Sequence, residues 1–132
     1  MFITREIDYG FRVVRALHRK GQCTAAEISE LEGVPTAFAY KILKKLQNVE
    51  IVEIIRGKSG GYHLRQSPDT LTLYDIVKAI GDENTITACL TPGYVCTSNE
   101  KGRCHVHSEL LRIQAVLEAE LKRKTLTEVF NS

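Results

Sequence analysis

Residues 24–65 dictate more about the fold than any other part of the chain. Thr24-Ala-Ala-Glu27 has the form of a capping box, in which the threonine hydroxyl accepts from a first-turn amide and the glutamate reaches back to the threonine N–H. The helix it opens is short, turns Ile28 and Leu31 inward, and stops at Gly33. Val34-Pro35 restarts the chain, because proline suits the first position of a helix. The next helix runs to about Gln47, with Phe38, Ile42, Leu43 and Leu46 on its buried side and Tyr40, Lys41, Lys44 and Lys45 elsewhere. Two short helices joined by a glycine-containing turn form a helix-turn-helix. A β-branched run, residues 51–55, then leads through Arg56-Gly-Lys-Ser-Gly-Gly61 into Tyr62-His-Leu-Arg65, the pattern of a hairpin with a cationic, glycine-rich tip. A helix-turn-helix followed at once by such a hairpin predicts a winged helix; neither part alone is enough.

The flanks extend this core. A first helix covers about residues 4–20, with Ile7, Phe11, Val14 and Leu17 at helical spacing and Gly21 as its stop. Arg5, Arg12, Arg15 and Arg19 surround that stripe; a solvated face accounts for them, with phosphate contact by one or two as the rival reading. Ser67-Pro68-Asp69 is a linker, after which Thr72 and Asp75 cap a helix that turns Leu73, Ile76, Val77 and Ile80 to the core and ends at Gly81. Further on, Val106, Leu110, Ile113, Leu117 and Leu121 recur at steps of four, three, four and four, the mark of a long amphipathic helix. Outside a winged-helix core this stripe would be exposed, so it predicts homodimerisation, with Leu126, Val129 and Phe130 folding back as a tail. The expected fold class is therefore mainly α with a small β-hairpin. A winged helix-turn-helix DNA-binding domain covers residues 1–82, a cysteine-rich loop residues 83–105, and a dimerisation helix and tail residues 106–132.

Charge suits a nucleic-acid partner for the first half. Residues 1–66 carry eleven Lys/Arg against seven Asp/Glu (+4), residues 67–132 seven against nine (−2). In a helix-turn-helix the second helix enters the major groove with its N-terminal residues nearest the bases. That puts Thr36, Ala37, Tyr40 and Lys41 at the base edges of a double-stranded DNA operator, and Lys44 and Lys45 toward its backbone. Tyr40 offers a hydroxyl and a ring for a thymine methyl, and Lys41 can donate to guanine acceptors. At the wing, Gly57, Gly60 and Gly61 let the backbone approach a phosphate, Arg56 and Lys58 supply charge, and Ser59 completes the tip. An exposed lysine face and a plain hairpin turn are the bland alternatives, and the succession of the two is what favours DNA. The tip does not complete the Gly-x-x-x-x-Gly-Lys-Ser/Thr frame of a nucleotide phosphate loop.

Residues 89–107 hold three of the four cysteines, Cys89, Cys96 and Cys104, with His105 and His107, among turn formers such as Pro92, Gly93 and Gly102. A stretch of roughly 20 residues without secondary structure is uncommon in a compact domain and is often functional. Thiolates suit zinc, copper(I) and iron–sulfur clusters, and an imidazole can complete the ligand set. Structural zinc sites usually contain a close Cys-x₂₋₄-Cys pair, which this stretch lacks. An iron–sulfur cluster is thus favoured over zinc, a thiol–disulfide switch or idle cysteines, and histidine ligation points to 2Fe–2S over 4Fe–4S. Cys23 stands apart as a small buried hydrophobe. The absence of Cys-x-x-Cys and of a Ser/His/Asp constellation argues against an enzyme. With 43% hydrophobic and 26% charged residues, no apolar run of membrane-spanning length and no signal-peptide pattern, the expectation is a cytoplasmic protein with no membrane partner.

Three segments together resemble the IscR/NsrR family of bacterial winged-helix iron–sulfur regulators: the opening Met1 to Gly10, Arg56-Gly-Lys-Ser-Gly-Gly-Tyr-x-Leu64 in the wing, and Leu73-Tyr-Asp-Ile-Val77 before the cysteines. The resemblance covers nearly the whole chain. It implies a homodimer on a partly palindromic operator and a cluster held by three cysteines just before the dimer helix. It also implies a fourth ligand: His107 matches the IscR-type position, with Asp8 offered from the partner subunit, His105 or an exogenous ligand as alternatives. The spacing is wider than is usual for iron–sulfur members, six residues between Cys89 and Cys96 and seven between Cys96 and Cys104, which a Gly/Pro loop can absorb. The function implied is a transcriptional regulator, repressor or activator, whose DNA binding is controlled by an iron–sulfur cluster of the iron–sulfur biogenesis type.

Overall fold

Helix α1 (Arg5–Lys20) is fixed at both ends by its own sequence: Thr4 Oγ1 accepts from the Ile7 N–H at 3.2 Å, acids occupy the first turn, bases the last, and Gly21 stops it. It is the axis of a computed structural model that describes residues 3–82, 84–97 and 104–131. Ile7, Val13, Val14 and Leu17 are buried against α2 (Ala25–Glu32), α3 (Thr36–Asn48) and α4 (Leu73–Ile80). The capping box of α2 is present, with Thr24 Oγ1 accepting from Glu27 N–H at 3.1 Å and Glu27 Oε1 accepting from Thr24 N–H at 3.2 Å. Arg15 grips the Glu32 carboxylate with two nitrogens and Arg12 donates to the Glu32 carbonyl at 3.1 Å. These arginines are therefore neither idle nor offered to phosphate; they pin the end of α2 to α1.

Two expected core positions are on the surface. Leu31 is 52% exposed, because α2 is barely two turns long and only Ala25 and Ile28 reach the core. Phe38 is 40% exposed; Ala39 takes the buried place beside Ile42, Leu43 and Leu46, and the Phe38 ring meets Tyr9 edge-on at 5.5 Å.

Strands β1 (Val52–Ile55) and β2 (Gly61–Leu64) pair antiparallel in the register Val52↔Leu64 to Ile55↔Gly61. Cys23 adds one rung on the other edge of β2, its N–H donating to the Tyr62 carbonyl at 3.0 Å and its carbonyl accepting from Tyr62 N–H at 2.7 Å. The hairpin is thus joined by its backbone to the α1–α2 turn. This is a winged helix: mostly helical, with one two-stranded hairpin. Asp75 accepts from the N–H and the hydroxyl of Thr72, capping α4 as expected.

After α4 the described residues form one three-residue 3₁₀ turn, Ala88–Leu90, before α5 (His105–Leu121) and α6 (Leu126–Phe130). The apolar stripe of α5 divides. Leu110, Leu117 and Leu121 turn toward the body, whereas Val106 (67% exposed) and Ile113 (40%) join Val116 (51%) on an outer flank. A polar residue sits between the inward leucines: buried Gln114 donates to the Asn84 carbonyl at 2.9 Å and accepts from Ile86 N–H at 2.8 Å. Leu126 is fully buried and its N–H donates to the Leu71 carbonyl at 2.7 Å, so the C-terminal helix shares one core with residues 5–80. Among the described residues no helix is long and apolar enough to cross a membrane.

Candidate nucleic-acid interface and cysteine segment

Pro35 leads α3 into solvent and leaves Thr36, Ala37, Tyr40, Lys41 and Lys44 exposed along one face. Lys45 is different: its Nζ lies 2.9 Å from Glu6 Oε1 and donates to the Ile80 carbonyl at 3.0 Å, so it turns into the protein. Lys41 Nζ reaches the same Glu6 oxygen at 3.5 Å. The hydrogen bond from Lys45 holds the Glu6 carboxyl below the ordinary carboxylate range, with burial opposing in part.

The wing tip presents Arg56, Gly57, Lys58 and Ser59 to solvent. Gly57 has φ +109°, and a Cβ on Gly60 would stand 2.7 Å from the Ile55 carbonyl oxygen, so the turn demands glycine twice. The Gln22 amide donates to the Ser59 carbonyl and ties the tip to the α1–α2 turn. The outer face of the hairpin is cross-paired: His63 Nε2 lies 2.6 Å from Glu53 and Arg65 donates to Glu50 at 3.2 Å. The arrangement offers two exposed cationic elements, α3 and the wing tip, on one rigid support. Glu6 and Gln22 went unread in the sequence because nothing local marks a glutamate or glutamine as a long-range tether.

The cysteines are disposed unevenly. Cys89 lies half-buried in the 3₁₀ turn, which packs on α5, while Cys96 is exposed. Cys104 is the N-cap of α5, its Sγ accepting from the His107 N–H at 3.4 Å; His107 is half-buried and His105 exposed. Asp8 is paired with Arg12 at 3.0 Å. Among the described residues no three His, Cys, Asp or Glu side chains converge as a metal site. Donor chemistry fits a thiolate-bound centre, but Cys89, Cys96, Cys104 and His107 are not gathered around one point. Cys23 is buried, which pushes its thiol pKa up, Glu27 adding to the effect.

Comparison with known proteins bears on this arrangement. Residues 3–132 match the family Rrf2, described as an iron-dependent transcriptional regulator. A protein of Aquifex aeolicus, provisionally named an HTH-type transcriptional regulator, is 26% identical over 116 residues, 88% of this chain and 81% of that protein. The HTH-type transcriptional regulator IscR of Aliivibrio salmonicida is 31% identical over 75 residues, 56% of this chain. That match spans 45% of IscR's own length, under half of the relative. Among solved structures, CymR, the global cysteine regulator of B. subtilis, superposes with a TM-score of 0.77 at 22% identity, covering 99% of this chain and 97% of that one.

Proposed function

The chain belongs to the Rrf2 family of transcriptional regulators, and from that premise we propose a homodimer that reads an operator through α3 and the wing and is switched by an iron–sulfur cluster. It is a DNA-binding regulator and not an enzyme. The observation that carries the switching is one of position. The cysteines lie between α4, which is packed in the reader's core, and α5, whose outer flank is apolar.

Base reading falls to Thr36, Ala37, Tyr40 and Lys41, and backbone contact to Lys44, Arg56, Gly57, Lys58 and Ser59, whereas Lys45, expected there from the sequence, is engaged by Glu6 and the Ile80 carbonyl. A second copy of the chain on Val106, Ile113 and Val116 would cover the flank of α5 and set two readers at the spacing of two half-sites. The cluster, 2Fe–2S in preference to 4Fe–4S, would be held by the thiolates of Cys89, Cys96 and Cys104 and by His107, and would supply a centre sensitive to iron supply and oxidation. Ligation of Cys96 together with Cys89 and Cys104, the N-cap of α5, would draw the connection against the first turn of that helix. Movement there alters how α5 meets its partner, and with it the angle between the two readers.

Protein purified without oxygen tests this. Visible absorption bands with stoichiometric iron and sulfide are expected, together with changed operator affinity or preference in Cys→Ala variants at matched salt. Identical affinity and preference with and without the cysteines would sink the switch. Sedimentation of wild type against Ile113→Lys tests the dimer.

A second reading is favoured by one observation: the described cysteines do not converge. On that reading the thiols act by oxidation without metal. Colourless protein whose DNA affinity follows added oxidant and dithiol would support it.

A further inference from the structure

One carboxylate on α1 faces two lysines of α3. Glu6 Oε1 lies 2.9 Å from Lys45 Nζ and 3.5 Å from Lys41 Nζ. The side chains differ in exposure, 22% for Glu6, 25% for Lys45 and 57% for Lys41. Lys45 is held again by the Ile80 carbonyl at 3.0 Å, with Asp82 at 3.8 Å, so its charge is answered inside the protein. Lys41 is one turn nearer the N-terminal end of α3, more than half exposed, and tethered across a longer gap.

We propose that Glu6 stands in for a DNA phosphate: it holds Lys41 off the sugar–phosphate backbone, lowers the sequence-independent part of DNA affinity, and thereby determines specificity. The inference rests on α3 being the DNA-facing helix, as read above. A carboxylate and a phosphate compete for the same ammonium group. Each lysine that neutralises a phosphate releases a counterion and adds about 0.9 to the slope of log affinity against log salt. A lysine already answered by Glu6 adds nothing. On a random duplex Lys41 has only a phosphate to exchange for Glu6, a near-equal trade. On a matching site it gains directed hydrogen bonds to guanine, which carry sequence information. Glu6 therefore weighs most against the wrong DNA. A half-exposed ion pair limits the effect to about fivefold in affinity, so the salt slope is the sharper measure.

The full chain is titrated with a random-sequence duplex by fluorescence anisotropy between about 50 and 200 mM salt, as wild type, Glu6→Gln, Lys41→Gln and the double variant. Glutamine keeps the shape of Glu6 and an oxygen for Lys45, and thermal melting followed by circular dichroism checks the fold. Glu6→Gln is expected to bind up to about fivefold tighter and to steepen the slope by about one unit. Lys41→Gln alone is expected to keep the wild-type slope, and the double variant to return to it. Should Glu6→Gln fail to fold, Lys41→Gln still decides: a slope lowered by about one unit means that Lys41 already meets phosphate, and overturns the inference while leaving the DNA reader intact. A folded Glu6→Gln with the wild-type slope overturns it equally. Wild-type protein that binds no duplex at any salt overturns both the reader and the inference.

Discussion

The reader, residues 5–80, and the described residues 84–97 of the connection that follows it are built on opposite principles. In the reader α1, α2 and α4 each start on a threonine cap, the hairpin is joined to the α1–α2 turn by backbone hydrogen bonds, and Ile28, Ile42, Leu43 and Leu46 are fully buried. In the connection, none of the described residues 84–97 is buried, and its only regular element there is the turn Ala88–Leu90. The difference teaches where conformational change can be placed. A reader whose groups are held by many mutual contacts keeps its shape whatever happens nearby. A connection with few such contacts takes its order from whatever it binds. Polar Gln114 is the hinge between them, because it fixes residues 84 and 86 to α5.

Thiol chemistry can break this contrast most sharply. In reduced, chelator-treated protein, maleimide should modify exposed Cys96 at least about a thousandfold faster than Cys23, which reacts only through opening of the core. Peptide mapping by mass spectrometry over time reads the ratio; comparable rates would mean that the reader opens as readily as the connection. Stability comes next. Leu126→Ala should cost about 2–5 kcal/mol in urea unfolding, because that side chain is fully buried in the reader's core although it lies beyond α5. Cys89→Ala should stay within about 0.5 kcal/mol in metal-free protein. Equal losses would dissolve the distinction. A smaller effect is expected at the wing, where Gly60→Ala brings a Cβ against the Ile55 and Gly57 carbonyl oxygens, at 2.7 and 2.8 Å. About 1–3 kcal/mol and a weakened grip on duplex DNA should follow, and a melting temperature equal to wild type would show that the turn yields instead.

Local chemistry made the reader legible in the sequence: Thr24 with Glu27 and the glycines of the wing act within a few residues and sit where expected, and Pro35 stands one residue before its expected place, as the N-cap of α3. The misreadings have a common cause. Leu31, Phe38 and the α5 stripe lie on the boundaries of amphipathic faces, and helical spacing gives the direction of a face but not its width. Which of Phe38 and Ala39 is buried depends on how closely α1 approaches, a tertiary fact. The arginines of α1 look alike in sequence, yet Arg12 and Arg15 are bound to Glu32, some 17 to 20 residues away. The cysteines were legible as a group but not as a site, since nothing in their spacing states what they close around.

Cys23 gives the smallest and most specific test, because it belongs to the reader by burial and to the wing by its rung with Tyr62. Burial and the nearby Glu27 carboxylate both raise its thiol pKa, so the folded protein holds the neutral form while the unfolded chain ionises near the ordinary value of about 8.5. A folded pKa above the unfolded one gives a contribution that is complete below the unfolded pKa and lost as pH rises through the folded one. Cys23→Ala should therefore cost about 1 kcal/mol near neutral pH and progressively less in alkaline buffer, where only wild type is penalised for keeping a thiol out of water. The lysines and tyrosines that titrate in the same range are common to both proteins and cancel in the difference. Urea unfolding of the pair at neutral pH and in steps up to about pH 10 measures it, and stability curves that stay parallel throughout would show that the thiol ionises without leaving the core.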